Sequence, residues 1–178
     1  MKKASLSRRV FLGSSLIFGA GVLYWIQNRE QKVRLYANET QVLLHACYHL
    51  FPSSTKGPGA IDLNIASYLI FVLEDQRIMK EDRDHFLKGA YWLEESAYEE
   101  YDQSFINLKK EDKESLFVKI SQDRWGQNFI YTSLTYIFES LLSSPVYGSN
   151  PNEIGWKWLE HNPGFPQPHS VKDINYEI

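Results

Sequence analysis

Apolar side chains return at helical intervals along most of this chain, which leaves little freedom in its fold class. Between residues 81 and 101, Phe86, Ala90, Leu93, Ala97 and Tyr101 recur at spacings of three and four. At 3.6 residues per turn these positions share one face, with Leu87, Tyr91 and Tyr98 beside them. Four more stretches repeat the pattern. Residues 38–50 carry Val42, Leu43, Ala46 and Leu50, with Asn38 as an N-cap and a stop at Phe51-Pro52. Residues 60–74 carry Ile61, Ile65, Leu69, Val72 and Leu73, with Asp62 near the start where a helix dipole favours an acid. Tyr68 and Ile70 on its other sides predict burial of more than one face. Residues 110–121 turn Leu116, Phe117 and Ile120 inward; residues 126–142 do so with Phe129, Ile130, Ser133, Leu134, Ile137, Phe138 and Leu141. No run alternates apolar and polar residues as a half-buried strand does. The expected fold is all-α, a bundle of about five helices over residues 37–144.

Residues 145–178 break the pattern. Pro145, Pro151, Pro163, Pro166 and Pro168 forbid a long helix. Tyr147, Trp156, Trp158 and Phe165 are too many rings for a disordered coil. This predicts an extended but ordered C-terminal tail, with its rings laid on the bundle, on another chain, or on both.

Residues 1–36 form a third segment. Ser7-Arg8-Arg9-Val10-Phe11-Leu12-Gly13 agrees at six of seven positions with the twin-arginine export motif Ser/Thr-Arg-Arg-x-Phe-Leu-Lys, with Gly13 in place of lysine. An apolar run from Val10 to Ile26 follows, diluted by Gly13, Ser14, Ser15, Gly19 and Gly21. A basic region followed by an apolar one is the order of an export signal. The competing reading is a chance basic pair ahead of an ordinary signal or anchor helix. No small-residue cleavage site follows. The run of 17 residues reaches across a thin hydrocarbon core, and Tyr24 and Trp25 suit its interface. An uncleaved anchor is therefore favoured over a removed signal. The expected location is the periplasm, attached to the inner membrane by the N-terminal helix, with the twin-arginine translocase as a partner.

The whole chain carries a net charge of −3 and its first 27 residues +4, so residues 28–178 carry −7. An acidic body offers no electrostatic footprint for nucleic acid. Cys47 is the single cysteine, which excludes an internal disulfide and any cysteine-rich metal or iron–sulfur site held by this chain alone. No G-x-G-x-x-G follows a strand, so there is no dinucleotide or FAD fingerprint.

Several clusters invite a chemical reading, each beside a plainer one. His45 and His49 stand four apart on one helix face, a spacing that can hold a metal, but Cys47 points away from them and two histidines rarely make a site. Cys47 reads as a buried apolar residue, or else as a thiol that pairs with a partner chain. Gly57-Pro58-Gly59 is either a turn before a helix or a place where backbone N–H groups face an anion. Glu94, Glu95, Glu99 and Glu100 read as a solvated face rather than as acid/base pairs. His161 and His169 have no visible partner. No catalytic, cofactor-binding or metal-ligating residue is assigned. Tyr147, Gly148, Asn150, Trp156 and Trp158 are the candidates for partner contact, because rings are enriched at interface hot spots. The plainer reading packs them on the chain's own helices.

Thr55-Lys56-Gly57-Pro58-Gly59-Ala60 ahead of an apolar helix, followed by Ser144-Pro145-Val146-Tyr147-Gly148-Ser149-Asn150-Pro151 and Ile154-Gly155-Trp156-Lys157-Trp158-Leu159, resembles the gluconate 2-dehydrogenase subunit 3 family. The resemblance runs from about residue 40 to 168, with Ser149 where family members usually have a second glycine. It implies the small subunit of a membrane-bound FAD-dependent sugar or sugar-acid dehydrogenase. FAD would sit in a large flavoprotein partner and haem in a cytochrome c subunit. This chain would be non-catalytic, helping the flavoprotein mature and supplying its export signal through Ser7, Arg8, Arg9, Phe11 and Leu12. The alternative is an independent exported protein with a histidine-ligated redox or metal centre.

Overall fold

The computed structural model describes residues 38–165; the candidate signal and anchor at residues 7–26 and the end of the tail lie outside them. The described chain is helical, with no strand: α1 (residues 38–50), α2 (Ile65–Glu74), α3 (Lys80–Tyr101), α4 (Lys110–Ile120), α5 (Arg124–Leu142) and a short α6 (Ile154–Leu159). Three single 3₁₀ turns join them, at Phe105–Asn107, Pro145–Tyr147 and Pro151–Glu153. None of these helices is long and apolar enough to cross a membrane.

Helix α5 is the central strut and packs against α2, α3, α4 and α6. Its buried residues Phe129, Ser133, Ile137 and Leu141 are spaced four apart, which keeps them on one slowly rotating stripe. Phe86, Ala90, Leu93 and Ala97 of α3 meet that stripe, and Val42, Leu43, Ala46 and Cys47 of α1 complete the same core. At Gly89 a Cβ would come within 2.6 Å of the Phe129 ring, so the missing side chain lets α3 and α5 approach there. Tyr68 ties α2 to α5 by donating its hydroxyl hydrogen to the Glu139 carboxylate at 2.9 Å.

Helix α2 begins five residues later than the apolar pattern predicts. Asn64 sits in the left-handed region (φ 53°), which ends any continuous helix from residue 60. Asp62 does not serve the helix dipole. Its carboxylate accepts the Gly59 N–H at 2.8 Å and the Ser53 hydroxyl, closing the loop before α2. Ile61 is left on that loop, 61% exposed; on α2 Ile70 faces outward at 56%, while Ile65, Leu69 and Val72 are buried and Tyr68, Phe71 and Leu73 are half-buried beside them.

Glu94 also departs from the solvated acidic face. Glu95, Glu99 and Glu100 are exposed, but Glu94 is buried. The chain leaves α3 through Asp102 in the left-handed region and folds Phe105 back against it. The Phe105 N–H then needs an acceptor away from water, and the Glu94 carboxylate provides it at 2.9 Å. Glu94→Ala strands that N–H and should cost about 1–3 kcal/mol in urea unfolding, whereas Glu94→Gln keeps an acceptor and should cost less. Equal losses for the two variants would show that the bond contributes little.

Candidate functional site

The five residues singled out in the tail lie in one structure, a clasp that returns residues 145–159 to the bundle. Pro145 and Pro151 each open a 3₁₀ turn, where a missing N–H costs nothing, and α6 follows. These short turns replace the extended course expected for this stretch. The chain can reverse so tightly because Asn150, Asn152 and Glu153 adopt positive φ, as does Gly148 (φ 87°).

Tyr147 packs its ring on Phe71 of α2, centroids 4.9 Å apart. Gly148 offers its carbonyl to the Asn64 side-chain amide at 2.8 Å. Asn150 is fully buried and acts in three directions. Its backbone N–H donates to the Leu63 carbonyl (2.9 Å), its side-chain N–H to the Ser143 carbonyl (3.0 Å), and its side-chain oxygen accepts the Gly155 N–H (2.7 Å). Gly155 lies so close to Leu141 that a Cβ would meet the Leu141 carbonyl oxygen, with Cδ1 at 2.8 Å. Trp156 is buried and donates its indole N–H to the Leu142 carbonyl at 2.8 Å, which satisfies the end of α5. Trp158 reaches back to the loop before α2. Its indole N–H donates to the Lys56 carbonyl at 2.7 Å, and its ring covers Gly57, where a Cβ would lie 2.5 Å from Nε1. Ser149, in place of glycine, is outside the left-handed region; its hydroxyl is buried 2.6 Å from that of Ser143.

The other candidates separate from this structure. His49 stacks on Phe117 with centroids 5.4 Å apart and places Nε2 3.2 Å from the Glu114 carboxylate. Its imidazole is held below the usual histidine pKa, mainly by burial. His45 meets Tyr48 edge-on. No three histidine, cysteine or acidic residues that could hold a metal lie together among the described residues. Cys47 is completely buried, and burial pushes its thiol pKa up to about 12. A buried, protonated thiol is a poor nucleophile and cannot meet another chain without local opening. In the Gly57–Gly59 turn, the Gly59 N–H is already given to Asp62. His161 lies edge-on to Trp156, and His169 is outside the described residues.

The sequence pattern of the family described as Gluconate 2-dehydrogenase subunit 3 matches residues 37–164, from the start of the helical body to just past the clasp. The chain belongs to that family. No curated protein and no solved structure matches it. In this subunit 3 chain, two of the five candidate contact residues, Asn150 and Trp156, are committed to the interior. Tyr147 is half-buried, and Gly148 and Trp158 remain exposed.

Trp158 is 42% exposed and extends a ring surface that the apolar pattern did not reveal. Phe51 lies 6.3 Å from Trp158 and 6.1 Å from Phe138, centroid to centroid. Phe138 was expected in the core but is 49% exposed. On this part of α5 the buried positions are 137, 140 and 141, so residue 138 turns to the flank, with Leu142 one turn further on the same exposed face. Phe51, Phe138, Leu142 and Trp158 thus form an apolar surface where the loop, α5 and α6 meet. A helical-period count could not separate Phe138 from its neighbours, because Leu134, Tyr136, Ile137, Leu141 and Leu142 crowd the same part of α5.

Proposed function

We propose that this chain is the non-catalytic small subunit of a periplasmic FAD-dependent dehydrogenase for gluconate or a related sugar or sugar acid. It helps the large flavoprotein mature and carries it out through the twin-arginine translocase. The family match over residues 37–164 supports the subunit role. Ser7, Arg8, Arg9, Phe11 and Leu12 support the export role. In this reading FAD belongs to the large partner, haem to a cytochrome c subunit, and the N-terminal helix holds the assembly at the inner membrane. The flavoprotein contacts this chain at the ring surface of Phe51, Phe138 and Trp158 and at the accessible parts of Tyr147 and Gly148. Asn150 and Trp156 support that surface from beneath.

The test is co-purification of the full chain from mild detergent. A large flavin-containing chain should accompany the wild type. Phe138→Asp leaves the core intact and places a charge on the contact, so it should weaken association by tenfold or more, about the effect of one interface hot spot. Absence of any flavoprotein would refute the subunit reading. An undiminished yield with Phe138→Asp would move the contact elsewhere.

A further inference from the structure

Helices α3 and α5 leave a half-open cavity of about 330 Å³ between them, away from the clasp. That volume falls in the lower part of the ~300–1,000 Å³ range of small-molecule sites. Rings form its apolar surfaces. The Phe129 ring lies against the α3 backbone at Gly89, Trp92 and Trp125 meet edge to face at 5.5 Å, and Tyr136 stands edge-on to Phe86 at 5.2 Å. The Asp82 carboxylate, the His85 imidazole, the Asn128 amide and the Thr132 hydroxyl also line it. Asp82, His85 and Asn128 are exposed at its mouth and Thr132 is half-buried, so their polar groups are open to a ligand. Polar groups that fold this chain are bonded to one another, as the clasp shows. Here a set of donors and acceptors lines one open space instead of bonding to the fold.

The charges around the cavity select among ligands. Lys88 holds its ammonium 4.9 Å from the centre of the Trp92 ring, so a cation placed there would meet a like charge. Asp82 brings the opposite charge to the same space, so the two offset each other and neither sign of ion is favoured. What remains is a neutral molecule with apolar faces for the rings and hydroxyl groups for the carboxylate, amide and imidazole. A pyranose ring combines both: its C–H faces lie on indole, and its adjacent hydroxyls donate to a carboxylate in charge-assisted bonds. We infer that the α3–α5 cavity is a binding site for a neutral pyranose sugar, with Asp82 as the hydroxyl acceptor and Trp92 and Trp125 as the stacking surface.

Saturation-transfer NMR on the full chain tests this with the methyl glycosides of glucose, galactose and mannose. Sodium gluconate serves as the anionic probe and tetramethylammonium as the cationic one. At least one glycoside should bind, and both charged probes should bind more weakly. Asp82→Asn should weaken the bound glycoside about tenfold by removing a charged acceptor. Trp125→Ala should abolish its saturation transfer, with circular dichroism checking that each variant stays folded. Absence of binding by all three glycosides would overturn the assignment. So would tighter binding of gluconate or tetramethylammonium, or unchanged affinity in the folded Asp82→Asn chain.

Discussion

With Arg8 and Arg9 both changed to lysine, the large flavoprotein subunit is expected to stay in the cytoplasm, and periplasmic dehydrogenase activity should fall close to zero. The substitution keeps two positive charges, so a purely electrostatic signal would survive it. It removes two planar, forked donor sets that an ammonium cannot replace. A receptor that reads paired guanidinium groups will reject the lysine pair. Both positions precede residues 37–164, the part of the chain that the family pattern covers. Loss of activity therefore reports export and not folding of the small subunit. Fractionation with activity and flavin assays on both compartments gives the answer. A partner that still reaches the periplasm in active form would end the escort role, while leaving the subunit role to the co-purification test.

Asn150→Ala should be the most damaging single change in the described fold. The side chain is fully buried, and alanine leaves the Gly155 N–H and the Ser143 carbonyl without their partners. Each unsatisfied group costs about 1–3 kcal/mol. The left-handed backbone at φ 52° adds about 1 kcal/mol for a residue with a Cβ and no local side-chain bond. The expected loss is about 3–7 kcal/mol, a large share of the ~5–15 kcal/mol that stabilises a typical domain. Asn150→Gly separates the two causes. Glycine accepts the backbone angle but makes neither bond, so it should recover only the conformational part. Urea unfolding followed by tryptophan fluorescence measures both variants, and Trp156 reports release of α6 from α5 directly. A loss under about 0.5 kcal/mol for Asn150→Ala, the scale of an ordinary surface change, would mean that other contacts hold the clasp.

Local periodicity was enough to define the all-helical class and most of the buried positions. Phe86, Ala90, Leu93 and Ala97, or Leu116, Phe117 and Ile120, face the core because a helix of 3.6 residues per turn has no other way to bury them together. Repetition of one spacing along one element is a local property, and it survives in a linear string. The clasp is the opposite case. Gly148 depends on Asn64, 84 residues away, and Trp158 depends on Lys56, 102 residues away. Prolines and rings in the tail announced order there without showing that the order comes from α2, α5 and the loop between α1 and α2. Glu94 and Phe138 make the same point in opposite directions. An acid went inside because a distant turn presented a bare N–H, and a phenyl ring stayed half outside because its neighbours filled the core first. Side-chain type and spacing settle which face of a helix is apolar. The partner of each group at the edge of that face is settled when the helices meet, since hydrogen bonds and packing act through space and carry no trace along the chain.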